Sequence, residues 1–264
     1  AEAHGVRYEM KRVAPKGIYR TLAPYGPVDP KERFGAPGTP CAPPLPALAI
    51  ATGRASIPYI RALGRRAVVL RAELSREPEV AALMPAAVEA LGPIGVLVNN
   101  ASRFERDEWH DATRDSWDRH IEPNLRAPFV LGQDFARALP KGCEGVIVNM
   151  LDQRVWSLTP HFVSYTVSKA GLWTLTQTMA LAFAPRIRVN AIGPGPALPS
   201  PRQSQDQFDR QARSVPLRRG TSPEEVARAL IAILCLPSMT GQMIALDGGQ
   251  HMQWSPAQGG EPEE

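Results

Sequence analysis

Tyr165 and Lys169 stand four residues apart in the stretch Ser164-Tyr165-Thr166-Val167-Ser168-Lys169. On a helix that spacing puts both side chains on one face, so an ammonium can sit beside a phenol. A positive charge there favours the phenolate and lowers a tyrosine pKa from its ordinary value of about 10. A phenol tuned in that way is a general acid usable near neutral pH. Asp152 lies thirteen residues before Tyr165, at the end of an apolar run, where it can face the same pocket. Each residue also has an ordinary reading. A Tyr–Lys pair is commonly an exposed helix pair, and an aspartate after a strand is commonly a turn or cap residue.

The chemical reading needs elements that bring these groups together. Residues 65–74 ("RRAVVLRAEL") form a short β-branched run and read as a strand. Ser75 then caps a helix whose apolar residues Val80, Leu83, Met84, Ala87, Val88 and Leu91 recur at helical spacing, and Gly92 stops it. Residues 94–100 ("IGVLVNN") and 145–151 ("GVIVNML") are continuous apolar strands, the kind buried on both faces of a parallel sheet. Between them a helical region runs from about Asp115 to Leu139, with Pro123 and Pro128 implying a bend. A helix over 162–184, a strand over 186–192, a helix opening at Ser222-Pro223-Glu224-Glu225 and a last strand over 242–249 complete the alternation. Strand and helix in turn argue for an α/β fold with a parallel, doubly wound, Rossmann-like sheet. Ligands bind outside the carboxyl ends of such strands. Asn99-Asn100-Ala101-Ser102, Met150-Leu151-Asp152 and Gly193-Pro194-Gly195 should therefore share one rim.

Composition narrows the function classes. The 264 residues carry 30 basic and 26 acidic side chains, interspersed along the chain, for a net charge of +4. That is no polyanion-binding pattern, so no nucleic-acid partner is expected. No apolar run approaches the roughly 20 residues needed to span a bilayer. No basic segment followed by an apolar one opens the chain, so a cytoplasmic protein is expected. Cys41, Cys143 and Cys235 are far apart and show no C-x-x-C spacing, so they read as buried thiols, and no metal site is expected. His110, His120 and His161 read as surface or supporting residues, with His161 close enough to Tyr165 to line a pocket. Trp109, Trp117, Trp156 and Trp173 read as packing residues.

"YTVSK", "NNAS", "NL" after a helical bend, "RVNAIGPG" and "GQMIALDGG", in that order, resemble the short-chain dehydrogenases/reductases over about Ile60 to Gly249. Most of that family has serine where this chain has Asp152. Asp152 with Tyr165 and Lys169, together with "NNASRF", resembles the pteridine reductases more narrowly. The resemblance implies an NAD(P)H-dependent oxidoreductase that uses NADP, with NAD as the alternative, and a small-molecule substrate such as a pterin or dihydrofolate. A C=N bond takes hydride at carbon and a proton at nitrogen, which suits a Tyr–Lys pair with a carboxylate. A carbonyl or alcohol oxidoreductase of the same family and a non-catalytic relative are the other readings.

Roles follow from the same resemblance. Tyr165 donates the proton, Lys169 lowers its pKa and bonds the nicotinamide ribose, Asp152 orients the pair or relays a proton, and Asn124 holds a relay water at the helix bend. Asn100, Ala101 and Ser102 line the adenosine and phosphate side. Pro194 and Gly195 shape the nicotinamide pocket, and Glu73-Leu74 falls beside the adenine. Phe104 matches the aromatic residue that stacks a flat pterin ring, though taken alone it reads equally well as a core aromatic. Residues 197–218 fall where the family has a mobile substrate-covering loop. A homo-oligomer, commonly a tetramer, is implied as well.

One departure divides the chain. The family opens with a strand and a glycine-rich turn whose backbone N–H groups and helix dipole bind the cofactor pyrophosphate. Here residues 45–51 ("LPALAIA") read as a strand, but Thr52-Gly53-Arg54-Ala55-Ser56-Ile57-Pro58 supplies no second or third glycine. Ten of the 27 prolines fall in residues 1–58, a density that breaks any long helix. The expected organisation is an atypical Pro-rich segment over 1–58, an incomplete Rossmann-like domain over 59–254 and a flexible tail over 255–264. A deletion after a first strand, or unrelated sequence such as an upstream reading-frame change would produce, both account for the boundary.

Overall fold

The computed structural model describes residues 60–61, 65–200 and 202–252. The Pro-rich segment 1–58, the expected strand at 45–51 and the tail 255–264 lie outside the described residues.

Among the described residues four strands form one parallel sheet in the order β1 (Val96–Asn99), β2 (Gly145–Met150), β3 (Ile187–Pro194), β4 (Met243–Leu246). Asn99 pairs with Asn149, Met150 with Ile192, and Pro194 with Leu246, so the carboxyl ends align on one rim. The α-helices that lie wholly among the described residues are α1 (Glu77–Leu91), α2 (Arg114–Ile121), α3 (Ala127–Ala138), α4 (Val163–Phe183), α5 (Gln205–Ser214) and α6 (Pro223–Leu234). Alternate side chains of each strand point to opposite faces. Leu97, Ile147 and Val189 pack against Met84 of α1, Phe135 of α3 and Met179 of α4. Val146, Val148 and Ile192 pack against Ala229 and Ile233 of α6. Ile147, Val148, Val189, Ile192 and Ile233 have no exposed surface. Each such side chain stabilises the fold by about 1.5–3 kcal/mol relative to exposure. Helices therefore cover both faces, as the uninterrupted apolar runs require.

The helical bend has a defined form. Thr113 and Ser116 make a reciprocal capping box for α2. A π-helical turn over Glu122–Arg126 then joins α2 to α3. Pro123 has no N–H to donate, and a locally wider turn accommodates it. Pro128 sits in the first turn of α3, where no donor is needed. Ser222 caps α6 by accepting from the Glu225 N–H at 3.2 Å.

Three expectations are corrected. Residues 65–73 form no strand, and Val68, Val69 and Leu70 are exposed. β-Branched composition favours an extended chain, but a strand exists only beside a hydrogen-bonding partner, and none lies there among the described residues. Ser75 does not cap α1; the N-cap is Arg76, and the Ser75 hydroxyl donates instead to Glu73 Oε1 at 3.0 Å. Serine side chains bond local turns as readily as helix ends. Trp109 is not a packing residue, being 83% exposed on the loop before α2. No helix among the described residues is long and apolar enough to cross a membrane.

Candidate active site

The residues singled out for chemistry meet at the carboxyl ends of β1 to β3. Asp152 follows β2 and opens a 3-10 turn over Gln153–Val155. One carboxylate oxygen, Oδ1, accepts from the Arg154 N–H at 2.8 Å and so fixes the side chain. The other, Oδ2, accepts from the Tyr165 hydroxyl at 3.0 Å. Tyr165 lies in the first turn of α4, almost fully buried. One helical turn on, the Lys169 ammonium stands 5.8 Å from the Tyr165 ring centre and donates to the Met150 carbonyl at 2.8 Å. Lys169 is 3% exposed. Burial pulls its pKa down from 10.5 to about 8, and the nearby Asp152 charge acts against that fall. The lysine is therefore held as a cation at neutral pH with little margin.

Phe104, on the loop after β1, packs beside Tyr165. Its ring is 4.6 Å from the Tyr165 ring, edge to face, and stacks at 4.7 Å on Phe162. The guanidiniums of Arg154 and Arg202 lie 5.3 and 5.4 Å from the Phe104 ring centre. Arg202 also donates to the Phe104 carbonyl at 3.2 Å. The segment expected as a mobile cover thus reaches Phe104, and much of it is the helix α5, capped by Ser204 and Gln207. Phe162 takes a left-handed backbone conformation (φ 57°) as the N-cap of α4. That conformation is costly for a bulky residue and marks a position determined by its surroundings.

Asn124 sits in the π-turn, 1% exposed. Its Oδ1 accepts from the Arg103 N–H at 2.7 Å and the Ser102 hydroxyl at 3.2 Å. Its Nδ2 donates to the Arg103 carbonyl at 2.9 Å and to Ser168 at 3.1 Å. A side-chain amide has two acceptor and two donor positions, and protein groups take all four. In this arrangement the Asn124 side chain splints the loop carrying Phe104 to α4.

The residues expected on the cofactor side fall into two groups. Asn100, Ala101 and Ser102 line the rim after β1, and Pro194 and Gly195 the rim at β3. A side chain at Gly195 would stand 2.7 Å from the Asp247 backbone, so only glycine permits that crossing. Glu73 and Leu74 lie just before α1, where the Glu73 carboxylate feels the charge of Arg103 on the loop after β1. The Glu73 carboxylate accepts from both Ser75 donors, and Leu74 packs onto α1 and α3 with Val80, Ala127 and Val130.

Reading the residues one at a time missed a second buried constellation. His120, expected as a surface or supporting residue, is 1% exposed and lies 6.0 Å from the Tyr165 ring. Ser164, next to Tyr165, is fully buried between His120 and Asp107. His161 is held by Glu108 at 3.0 Å. The signal that was available is the polar serine directly before Tyr165 on the buried side of a helix. The Asn99–Asn149–Thr176 chain of hydrogen bonds, 2.8 and 2.9 Å, is likewise visible only in the assembled sheet. Among the described residues no group of three or more His, Cys, Asp or Glu side chains is placed to hold a metal ion.

Residues 51–251 match the sequence profile of the family described as Enoyl-(Acyl carrier protein) reductase. Residues 1–80 match a second profile, described as Mitochondrial fission ELM1. The 3beta-hydroxysteroid dehydrogenase 1 of Eggerthella lenta is 33% identical over 205 residues, 74% of this chain and 78% of that one. The glucose 1-dehydrogenase 2 of Bacillus subtilis is 30% identical over 204 residues, 74% of this chain and 78% of that one. Among solved structures, the FolM alternative dihydrofolate reductase 1 of Brucella suis in complex with NADP is 46% identical, with a TM-score of 0.74 over 77% of this chain and 82% of that one. A blue fluorescent protein from a metagenomic library in complex with NADPH is 27% identical, with a TM-score of 0.65 over 75% of this chain and 84% of that one.

Proposed function

The chain belongs to the short-chain dehydrogenase/reductase family, and from that premise we propose that it is an NADP(H)-dependent reductase of a pterin- or dihydrofolate-like C=N bond. The observation that carries this reading is the Tyr165 hydroxyl donating to Asp152 beside the buried Lys169 ammonium, in a chain 46% identical to an NADP-bound alternative dihydrofolate reductase.

The residues present fit the nicotinamide end of the cofactor. The Lys169 ammonium has three donors, and among the described residues its hydrogen bond is the one to Met150 O. That leaves two N–H groups for ribose hydroxyls. Pro194 and Gly195, with Asn100, Ala101 and Ser102, supply the rest of the rim. Thr52–Pro58, where the glycine-rich turn would fall, lies outside the described residues and has one glycine. When bound, NADPH supplies the hydride. Tyr165 gives its proton to the substrate nitrogen, and Lys169 stabilises the phenolate that remains. Asp152 holds the phenol in register and can pass a proton back. Phe104 supplies the flat wall for a planar ring.

The same proposal covers the coarser surroundings: a cytoplasmic homo-oligomer with no nucleic-acid partner. Leu181, 83% exposed, and Val167, 41% exposed, give α4 an apolar outer surface in support of self-association. The match of residues 1–80 to a different profile supports the division of the chain near residue 58.

Two measurements test the reading. NADPH titration should show saturable binding, and dihydrobiopterin or dihydrofolate should drive NADPH oxidation. Turnover with a ketone and none with pterins would favour the carbonyl oxidoreductase. Absence of any NADPH binding would favour a non-catalytic relative.

A further inference from the structure

The buried chain Asp107–Ser164–His120–Glu105 runs from the start of α4 to the loop that carries Phe104, and nothing in the reading above uses it. Asp107 Oδ1 accepts from the Ser164 N–H at 3.2 Å, and its Oδ2 accepts from the Ser164 and Ser116 hydroxyls, the latter at 3.3 Å. Since Ser164 gives its proton to Asp107, its oxygen is an acceptor for His120 Nδ1, 2.6 Å away. His120 Nδ1 also faces the Ser116 carbonyl at 3.1 Å, a group that can only accept. Nδ1 therefore carries the proton. On the far side of the ring, Nε2 accepts from the Glu105 backbone N–H at 3.0 Å. The partners impose one neutral tautomer.

That last bond lies at a sensitive place. The loop is held on one side by Asn124 at Arg103 and on the other by Asp107 at Ser164. Between those anchors, within the loop, the His120–Glu105 bond fixes the backbone next to Phe104, whose ring abuts Tyr165. A proton on Nε2 would set an N–H against an N–H, and the bond would be lost. We propose that His120 is a positioning residue that latches the Phe104 segment onto α2 and α4, and that its protonation releases the latch. This rests on Phe104 lining the substrate pocket, as proposed above.

The groups facing His120 are Asp107 and Glu105, which favour its charged form, and Arg103, which opposes it. Ser116 from α2 and Ser164 and Tyr165 from α4 also face the ring, and the Ser116 carbonyl, as an acceptor, favours the charged form. Burial is the largest influence and sets the direction, so His120 titrates below the ordinary 6.5. The latch is closed at neutral pH and opens in mild acid.

Amide hydrogen exchange of the peptide covering 103–107, corrected for intrinsic rates, tests the latch without turnover. In the wild type, protection should fall about tenfold from pH ~7.5 to pH ~5, on the scale of one lost hydrogen bond. His120→Gln replaces the ring acceptor with an amide oxygen that does not titrate, so its protection should not follow pH. With a turning-over substrate, the wild-type KM should rise in acid relative to that of H120Q, with kcat following a common profile in both. The wild-type series stands alone should H120Q fold poorly. Equal wild-type protection at the two pH values, or the same fall in H120Q, overturns the proposal. A pH-dependent latch with no turnover of any pterin would instead count against the substrate reading.

Discussion

Replacing Lys169 with methionine isolates the cost of holding a cation inside this fold. The ammonium is 3% exposed, and its pKa falls from 10.5 to about 8 because burial disfavours the charged form. Two and a half units at 1.36 kcal/mol each correspond to ~3 kcal/mol of destabilisation whenever the lysine is charged. Below pH ~8 both folded and unfolded chains carry the proton, and the full penalty is present. Between pH ~8 and pH ~10.5 the unfolded chain binds more protons than the folded one, so stability rises with pH. K169M lacks this dependence. It also loses the bond to the Met150 carbonyl, a pH-independent cost of about 1 kcal/mol. The difference between K169M and wild type, from urea unfolding at a series of pH values, should favour K169M most near neutrality. It should shrink by ~3 kcal/mol as pH approaches 10.5, while turnover is abolished at every pH. A difference that stays constant from pH ~7 to pH ~10.5 would refute the argument, since it would mean that Lys169 is not held against its own desolvation.

Tyr165→Phe removes the proposed proton donor and should lower kcat by about 10²–10⁴-fold, while NADPH titration gives near wild-type affinity. Asp152→Asn replaces a charged acceptor at 3.0 Å from the phenol. A loss of about 1.5–3 kcal/mol in that bond predicts a kcat/KM lower by roughly tenfold to a hundredfold. It also moves the Lys169 titration further down, because the charge that held it up is gone; the pH–rate profile reports both. Ser222→Ala removes the cap that accepts the Glu225 N–H and should cost about 1 kcal/mol in thermal or urea unfolding, with activity intact.

Much of the fold was legible because its signals are local. The runs at 94–100 and 145–151 are apolar without alternation, and a strand of that kind needs cover on both faces, which α1, α3 and α4 on one side and α6 on the other provide. The Ser222-Pro223 start and the bend at Pro123 are likewise chemistry of neighbouring residues. The run at 65–74 failed because pairing is not local: an extended β-branched segment becomes a strand only where another strand lies beside it.

The candidate site divides along the same line. Helical spacing by itself placed Tyr165 and Lys169 on one face, and the length of the β2–α4 connection brought Asp152 to them, since a parallel sheet aligns its strand ends. The order of the motifs determined the family in the same way. Only the tertiary structure decided what those groups feel. The depressed Lys169 pKa comes from burial under neighbouring elements, Asn124 splints a loop because four polar groups from two segments converge on it, and the Phe104 ring is held between the start of α4 and the segment before α5. Desolvation and the saturation of hydrogen bonds depend on everything that packs around a group, and residues 44 and 57 positions apart, such as Ser164 with His120 and Asp107, are joined by the fold alone.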